Sequence, residues 1–194
     1  GSIGQPLTAL TIFQTAGPDS WHPDPAFLFA QGAGPLFDMG PYYVTTLVEV
    51  FGQATRVTAT SSKSQEVRVV GSGPKKGTSF PVEEPTQITA LIEFSSGASA
   101  VSIFSFEAAH EVTGFVEITG SNGAITLPDP NNFDGENVIY QPDQEPEKLA
   151  ATGNKHGRGL GALNMMQSFL AGTTHIASAE LGNHVLDILI SISE

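Results

Sequence analysis

The chain has 194 residues, 40% of them hydrophobic and 14% charged, which is enough for one good core but cramped for two domains. Its net charge of −12, from 20 acidic against 8 basic residues, repels a phosphate backbone and argues against nucleic acid or an anionic membrane surface as partners. The absence of cysteine removes disulfides and thiolate metal sites, and no apolar run reaches the ~20 residues that span a bilayer, so a soluble cytoplasmic protein is expected.

In chain order, Thr8 to Phe13 has the β-branched and aromatic content of a strand. The stretch WHPDPAFLFAQGAGPLFDMGPYY, Trp21 to Tyr43, then breaks the pattern with prolines and glycines. A helix is predicted over Tyr42 to Phe51, where Tyr43, Leu47, Val48 and Phe51 recur at helical spacing and Gly52 stops it. From Ala54 to Tyr140 the period becomes two. Strands are predicted at Arg56 to Thr60, Glu66 to Val70, Gln87 to Phe94, Ala98 to Phe106, Phe115 to Thr119 and Ala124 to Leu127, with a short one at Val138 to Tyr140. Ser95 to Gly97 and Gly120 to Gly123 are hairpin-length connections.

Within the Gln87 strand, Ile88, Ala90, Ile92 and Phe94 mark the better-buried face. Leu91, Val101 and Ile103 make the other face apolar as well, which points to a second subunit or domain. Helices are predicted at Gly161 to Ala171 and Ala179 to Ile192, the last with an apolar stripe through Leu181, Val185, Ile188, Leu189 and Ile192 that packs most simply on the sheet. Strands followed by helices give an α+β class: an open, mostly antiparallel sheet with helices packed on one face, as one domain over residues 1–194.

Gly71 to Gly77 lies between strands and lacks a lysine after its last glycine, so it is a loop rather than a phosphate cradle. Gly157 to Gly161 precedes a helix, yet it has neither the third-glycine spacing nor the preceding strand of a dinucleotide site. A redox cofactor, if one is used, is therefore held mainly elsewhere. The five histidines, His22, His110, His156, His175 and His184, include no pair three or four apart, so no metal site is predicted. No GxSxG elbow occurs.

The dense stretch remains. Asp38 and Tyr42 are four residues apart, so in a helix they share a face. One reading makes Asp38 an N-cap, with Pro41 in the first turn and Tyr42 half-buried. The other makes the stretch a ligand site, because Trp21, His22, Phe37 and two tyrosines crowd beside a Gly-Ala-Gly-Pro turn, the mixture of aromatic faces and polar tips that a sugar or polyol requires.

The segments WHPDPAFLF and GAGPLFDMGPYYVTTLVEVFG, together with the tail RGLGALNMMQSFLAGTTHIASAELGNHVLDILISI, resemble the C-terminal domain of the Gfo/Idh/MocA oxidoreductases. That resemblance implies the second half of an NAD(P)-dependent dehydrogenase acting on a sugar, polyol or related hydroxy compound. The N-terminal Rossmann domain, with NAD or NADP and a catalytic Glu-Lys-Pro lysine, would lie outside these residues, and the 194-residue chain alone is expected to be inactive. It assigns Asp38 and Tyr42 to the family's catalytic Asp and His/Tyr positions, leaving open whether Tyr42 exchanges a proton or only positions substrate. Trp21 and His22 become candidates for the pocket wall, and Asn154 and Arg158 for contacts to substrate or cofactor, each with a purely structural role equally open. The sheet face is expected to join subunits of a homo-oligomer. The alternative is a non-catalytic β-sheet dimerisation or interaction module.

Overall fold

The computed structural model describes residues 1–150 and 157–194. The strands are β1 (Pro6–Gln14), β2 (Ala54–Ser62), β3 (Val67–Val69), β4 (Ser79–Pro81), β5 (Gln87–Phe94), β6 (Ser99–Ser105), β7 (Val112–Gly120), β8 (Gly123–Leu127), β9 (Glu136–Tyr140) and β10 (Glu147–Ala150). The helices are α1 (Gly34–Phe51), α2 (Leu160–Ala171) and α3 (Ala179–Ser193). Eight strands form one open sheet in the order β10-β9-β8-β7-β1-β6-β5-β2, while β3 and β4 make a separate two-stranded ribbon. Every pair in the large sheet is antiparallel except β1 with β6.

Alternation along the strands decides the two faces. Ala9, Thr11 and Phe13 of β1, Ala100, Ser102 and Phe104 of β6 and Ile88, Ala90 and Ile92 of β5 are buried on the inner face. α1 and α3 cover that face, α3 packing on α1 and on β2. The two helices run antiparallel: Leu36 and Phe37 share a depression with Ile192, and at the other end Val48 shares one with Leu181. A closely packed aromatic chain ties the layers together, with Tyr43 of α1 against Phe13 and Phe104 of the sheet and Phe51 against Phe94.

α1 starts eight residues earlier than the periodicity predicts, at Gly34 rather than Tyr42. Pro35 lies in the first turn, where its missing N–H costs nothing. Asp38 is therefore not the N-cap, which is Ala33, and Pro41 lies inside the helix rather than in its first turn. With no N–H at Pro41, the Phe37 carbonyl loses its i+4 donor. β4 and β10 go unpredicted because one is three residues ending in proline and the other a charged edge strand.

The close approach of α1 and α3 depends on Gly40, since a Cβ there would come within 2.8 Å of Leu189 Cδ2. Gly40→Val is expected to overpack this contact by about 1–3 kcal/mol and lower the melting midpoint by several degrees, read by thermal unfolding.

Candidate active site

The dense stretch of sequence is held from outside by the ribbon. Arg68 of β3 is only 6% exposed; it donates to Asp19 at 2.8 Å, pairs with Glu107 at 2.9 Å, donates to the carbonyls of Ala16 and Phe106, and lies over the Phe29 ring. Burial acts to raise the Glu107 carboxyl, but hydrogen bonds from Thr86 and Ser64 and the charge of Arg68 hold it below the usual range. Gly17 makes room for this cluster: at φ 101° its backbone suits glycine, and a Cβ would come within 2.6 Å of both Arg68 Nη1 and Asp19 Oδ1. A buried ion cluster of this kind adds little net stability but specifies one geometry, because losing any partner strands a charge.

Further contacts continue the clamp. The Gly71 N–H donates to the Asp19 carbonyl, the Ser72 hydroxyl to the Trp21 carbonyl and Lys75 to Asp24. Beyond β4, Glu83 and Glu84 accept from the N–H groups of Gln31 and Gly32. The segment between β1 and α1 is thus tied at both of its ends before the helix begins.

On α1, Asp38 and Tyr42 lie one turn apart, with Thr45 and Glu49 extending the same stripe, opposite the buried stripe of Leu36, Gly40, Tyr43 and Leu47. Asp38 is exposed and Tyr42 half-buried, and among the described residues neither side chain has a hydrogen-bond partner. Desolvation by the surrounding chain nevertheless raises the Asp38 carboxyl above its ordinary pKa. The adjacent tyrosine has the opposite role. Tyr43 is fully buried, its hydroxyl accepts from the Gly114 N–H at 2.8 Å, and burial, partly offset by that hydrogen bond and aided by the charge of Asp129, pushes its pKa up to about 12.

The other predicted site residues are distributed more widely. Trp21 is exposed and makes an edge contact with His22, which in turn meets Phe27, an aromatic partner that no spacing or motif singles out. His22 Nδ1 accepts from the Asp24 N–H. Arg158 donates to Asn131 in the loop after β8, and Asn154 lies outside the described residues. Among the described residues no hydrogen bond or ring contact joins Trp21, His22 or Arg158 to Asp38 or Tyr42.

Nor do the described residues form a dinucleotide crevice. β1, α1 and β2 are not a parallel βαβ unit, because β2 lies at the far edge of the sheet and pairs only with β5. No three His, Asp or Glu side chains among the described residues converge to hold a metal. The geometry offers an acid and a phenol on one outward helical face.

A family model described as the GFO/IDH/MocA C-terminal domain matches residues 1–126. The chain belongs to the GFO/IDH/MocA family. Solved structures share its fold across nearly the whole chain. An NAD binding oxidoreductase from Klebsiella pneumoniae aligns with a TM-score of 0.76 and 21% identity, covering 99% of this chain and 57% of that one. Levoglucosan dehydrogenase in complex with NADH and levoglucosan aligns with a TM-score of 0.73 and 20% identity, covering 99% and 56%. An oxidoreductase domain protein from Kribbella flavida aligns with a TM-score of 0.73 and 17% identity, covering 99% and 57%. The GFO/IDH/MocA domain described here thus spans just over half the length of these chains. No curated protein matches it by sequence.

The buried tyrosine sets a pH dependence. The folded domain holds the Tyr43 proton more tightly than the unfolded chain, so its contribution is fully present below the ordinary phenol pKa of ~10 and is lost as pH rises toward about 12. Denaturant unfolding across that window is expected to show stability falling by up to ~1.4 kcal/mol per pH unit from this group. Tyr43→Phe is expected to remove that slope while costing about 1–3 kcal/mol at neutral pH, because the Gly114 N–H loses its partner.

Proposed function

We propose that this chain is the substrate-binding half of an NAD(P)-dependent oxidoreductase that acts on a sugar, polyol or related hydroxy compound, with Asp38 and Tyr42 meeting the substrate. The observation that carries this reading is their placement: they share the outward stripe of α1 and leave their polar ends unpartnered among the described residues, while Tyr43 beside them is buried and satisfied. Against the interaction-module reading, Asp38 does not cap the helix, whose N-cap is Ala33.

Oxidation of a secondary alcohol removes a hydride from carbon and a proton from oxygen. The dinucleotide, held by a separate half of the protein, supplies the hydride acceptor. The contribution of this chain is to hold the alcohol. The Asp38 carboxylate accepts from a substrate hydroxyl, and Tyr42, one turn further on, reaches the same ligand, as donor or as acceptor of the proton. Trp21, His22 and Phe27 form an aromatic platform on the segment leading into α1, suited to the apolar face of a sugar ring. Arg158, just before α2, is assigned a contact to substrate or cofactor; in the domain alone it donates to Asn131.

The outer face of the sheet completes the proposal as a subunit interface. Leu91, Val101 and Leu10 pair directly across β5, β6 and β1, and Ile103, Ile12 and Phe115 form a second apolar row across β6, β1 and β7. No element of the chain packs over these rows among the described residues, and Leu91 and Val101 are exposed.

Asp38→Asn in the full-length protein is expected to lower kcat/KM at least ~100-fold with NAD or NADP and the preferred polyol, without lowering the melting midpoint, since the raised pKa marks the charged form as the one the fold disfavours. Tyr42→Phe is expected to lower activity with the melting midpoint unchanged, since its hydroxyl has no hydrogen-bond partner among the described residues. Absence of nicotinamide-dependent oxidation by the unaltered full-length protein across a sugar and polyol panel, or full activity of Asp38→Asn, refutes the assignment. Val101→Arg is expected to reduce the assembly mass measured by light scattering, with the circular dichroism spectrum unchanged.

A further inference from the structure

The Arg68 cluster adds little stability for the charge it buries. Its guanidinium is 6% exposed and carries two carboxylate partners, yet its Nε is a buried polar atom that finds no acceptor among the described residues. A buried N–H left unpaired costs free energy, and a buried ion cluster is often no more stable than apolar side chains in its place. What such a cluster imposes is a geometry, and here it is the geometry of the segment between β1 and α1.

Two single helical turns carry that segment, Pro18–Ser20 and Ala26–Phe29. The Trp21 and His22 N–H groups both donate to the Pro18 carbonyl, so the first turn fixes where those two rings leave the backbone. Phe27 stands in the second turn. Arg68 touches both turns at once. Its Nη1 donates to Asp19 in the first, and the guanidinium carbon lies 5.1 Å from the centroid of the Phe29 ring in the second. Its Nη2 donates to the Phe106 carbonyl and pairs with Glu107, just beyond β6, which ties both turns to the end of the sheet. The rings that result are close: the His22 centroid is 5.5 Å from that of Trp21 and 5.5 Å from that of Phe27.

The glycine-rich connection from β3 to β4 follows the same segment. A Cβ at Gly71 would come within 2.8 Å of the Ser20 carbonyl oxygen, and one at Gly73 within 2.6 Å of Pro23 Cβ. Glycine at these two positions lets the ribbon lie directly on the chain that bears Trp21 and His22.

Holding both turns needs a planar fork. A lysine offers one point charge and no flat face, so it can hold one turn but not both. Among the described residues, no hydrogen bond or ion pair of Arg68 goes to Asp38 or Tyr42. We infer that Arg68 is a positioning residue for the substrate: by holding both turns it fixes the Trp21–His22–Phe27 platform, and so sets the affinity for a sugar ring while leaving the reacting hydroxyl to Asp38 and Tyr42. This rests on the function proposed above.

The test uses the full-length protein with NAD or NADP and the sugar or polyol of the panel that it oxidises best. Arg68→Lys, and Asp19→Ala as a second variant that leaves Arg68 its partner Glu107, are each expected to raise KM roughly 3- to 10-fold with kcat within about twofold. In a Trp21→Ala/Phe27→Ala background, which removes the two exposed rings, neither change is expected to raise KM further. An equal rise in that background, a fall in kcat of the same size, an unchanged KM, or loss of folding in both variants by circular dichroism each overturns the inference. The proposed function fails separately, if the unaltered protein oxidises no sugar or polyol with either dinucleotide. The positioning is then read from the fluorine resonance of fluorotryptophan at Trp21, identified by its absence in Trp21→Ala. A shift of that resonance in Arg68→Lys and Asp19→Ala keeps the positioning, and an unmoved resonance removes it.

Discussion

The rotation of α1 about its own axis is set by one contact, the insertion of Tyr43 between Phe13 and Phe104. Successive residues of a helix point about 100° apart. With Tyr43 turned into the sheet, Tyr42 must turn away from it, Gly40 must face α3, and Asp38 must join Tyr42 on the outward stripe. The hydrogen bond from Gly114 to the Tyr43 hydroxyl fixes the depth of insertion as well as the angle. The two adjacent tyrosines are thus a single device, in which the buried ring aims the free one.

Around this helix the domain separates rigidity from exposure. The segment before α1 would be poorly ordered by its own composition, being rich in proline and glycine, and it is held instead by the Arg68 cluster and by the carboxylates of Glu83 and Glu84. The bare surfaces, by contrast, are largely apolar: α2 carries no charge, and the Leu91–Val101–Leu10 row of the outer sheet face ends at Glu117 and is flanked by the pair Arg56–Glu93. An acidic domain resists unspecific association and leaves such apolar patches to a shaped partner.

Much of this was legible in the residues. The alternation Ile88, Ala90, Ile92, Phe94 fixes both the bounds and the facing of β5, and the four-residue spacing of Asp38 and Tyr42 is enough to place them on one helical face. The start of α1 was not legible, because Gly-Pro reads as a turn unless it is known that the proline occupies the first helical turn. The Arg68 cluster was invisible for a different reason. Its members, Asp19, Arg68, Thr86 and Glu107, come from four separate stretches, and only the folding of the ribbon over the first connection brings them together. Likewise α2 was readable as a helix, whereas the exposure of its Phe169 and Leu170 is a property of the whole domain and not of its twelve residues.

The position of β1 has a consequence for how the domain forms. The first strand of the chain is an interior strand of the sheet, lying between β6 and β7, whose residues follow it by roughly ninety to a hundred and ten positions. During synthesis its hydrogen-bonding edges have no partner until the β5–β6 hairpin and β7 have been made. Until then Leu10, Ile12 and Phe13 belong to an unpaired apolar strand. Long-range pairing of this kind is slow, and it leaves the nascent chain dependent on being kept apart from its own copies until the middle of the sheet closes.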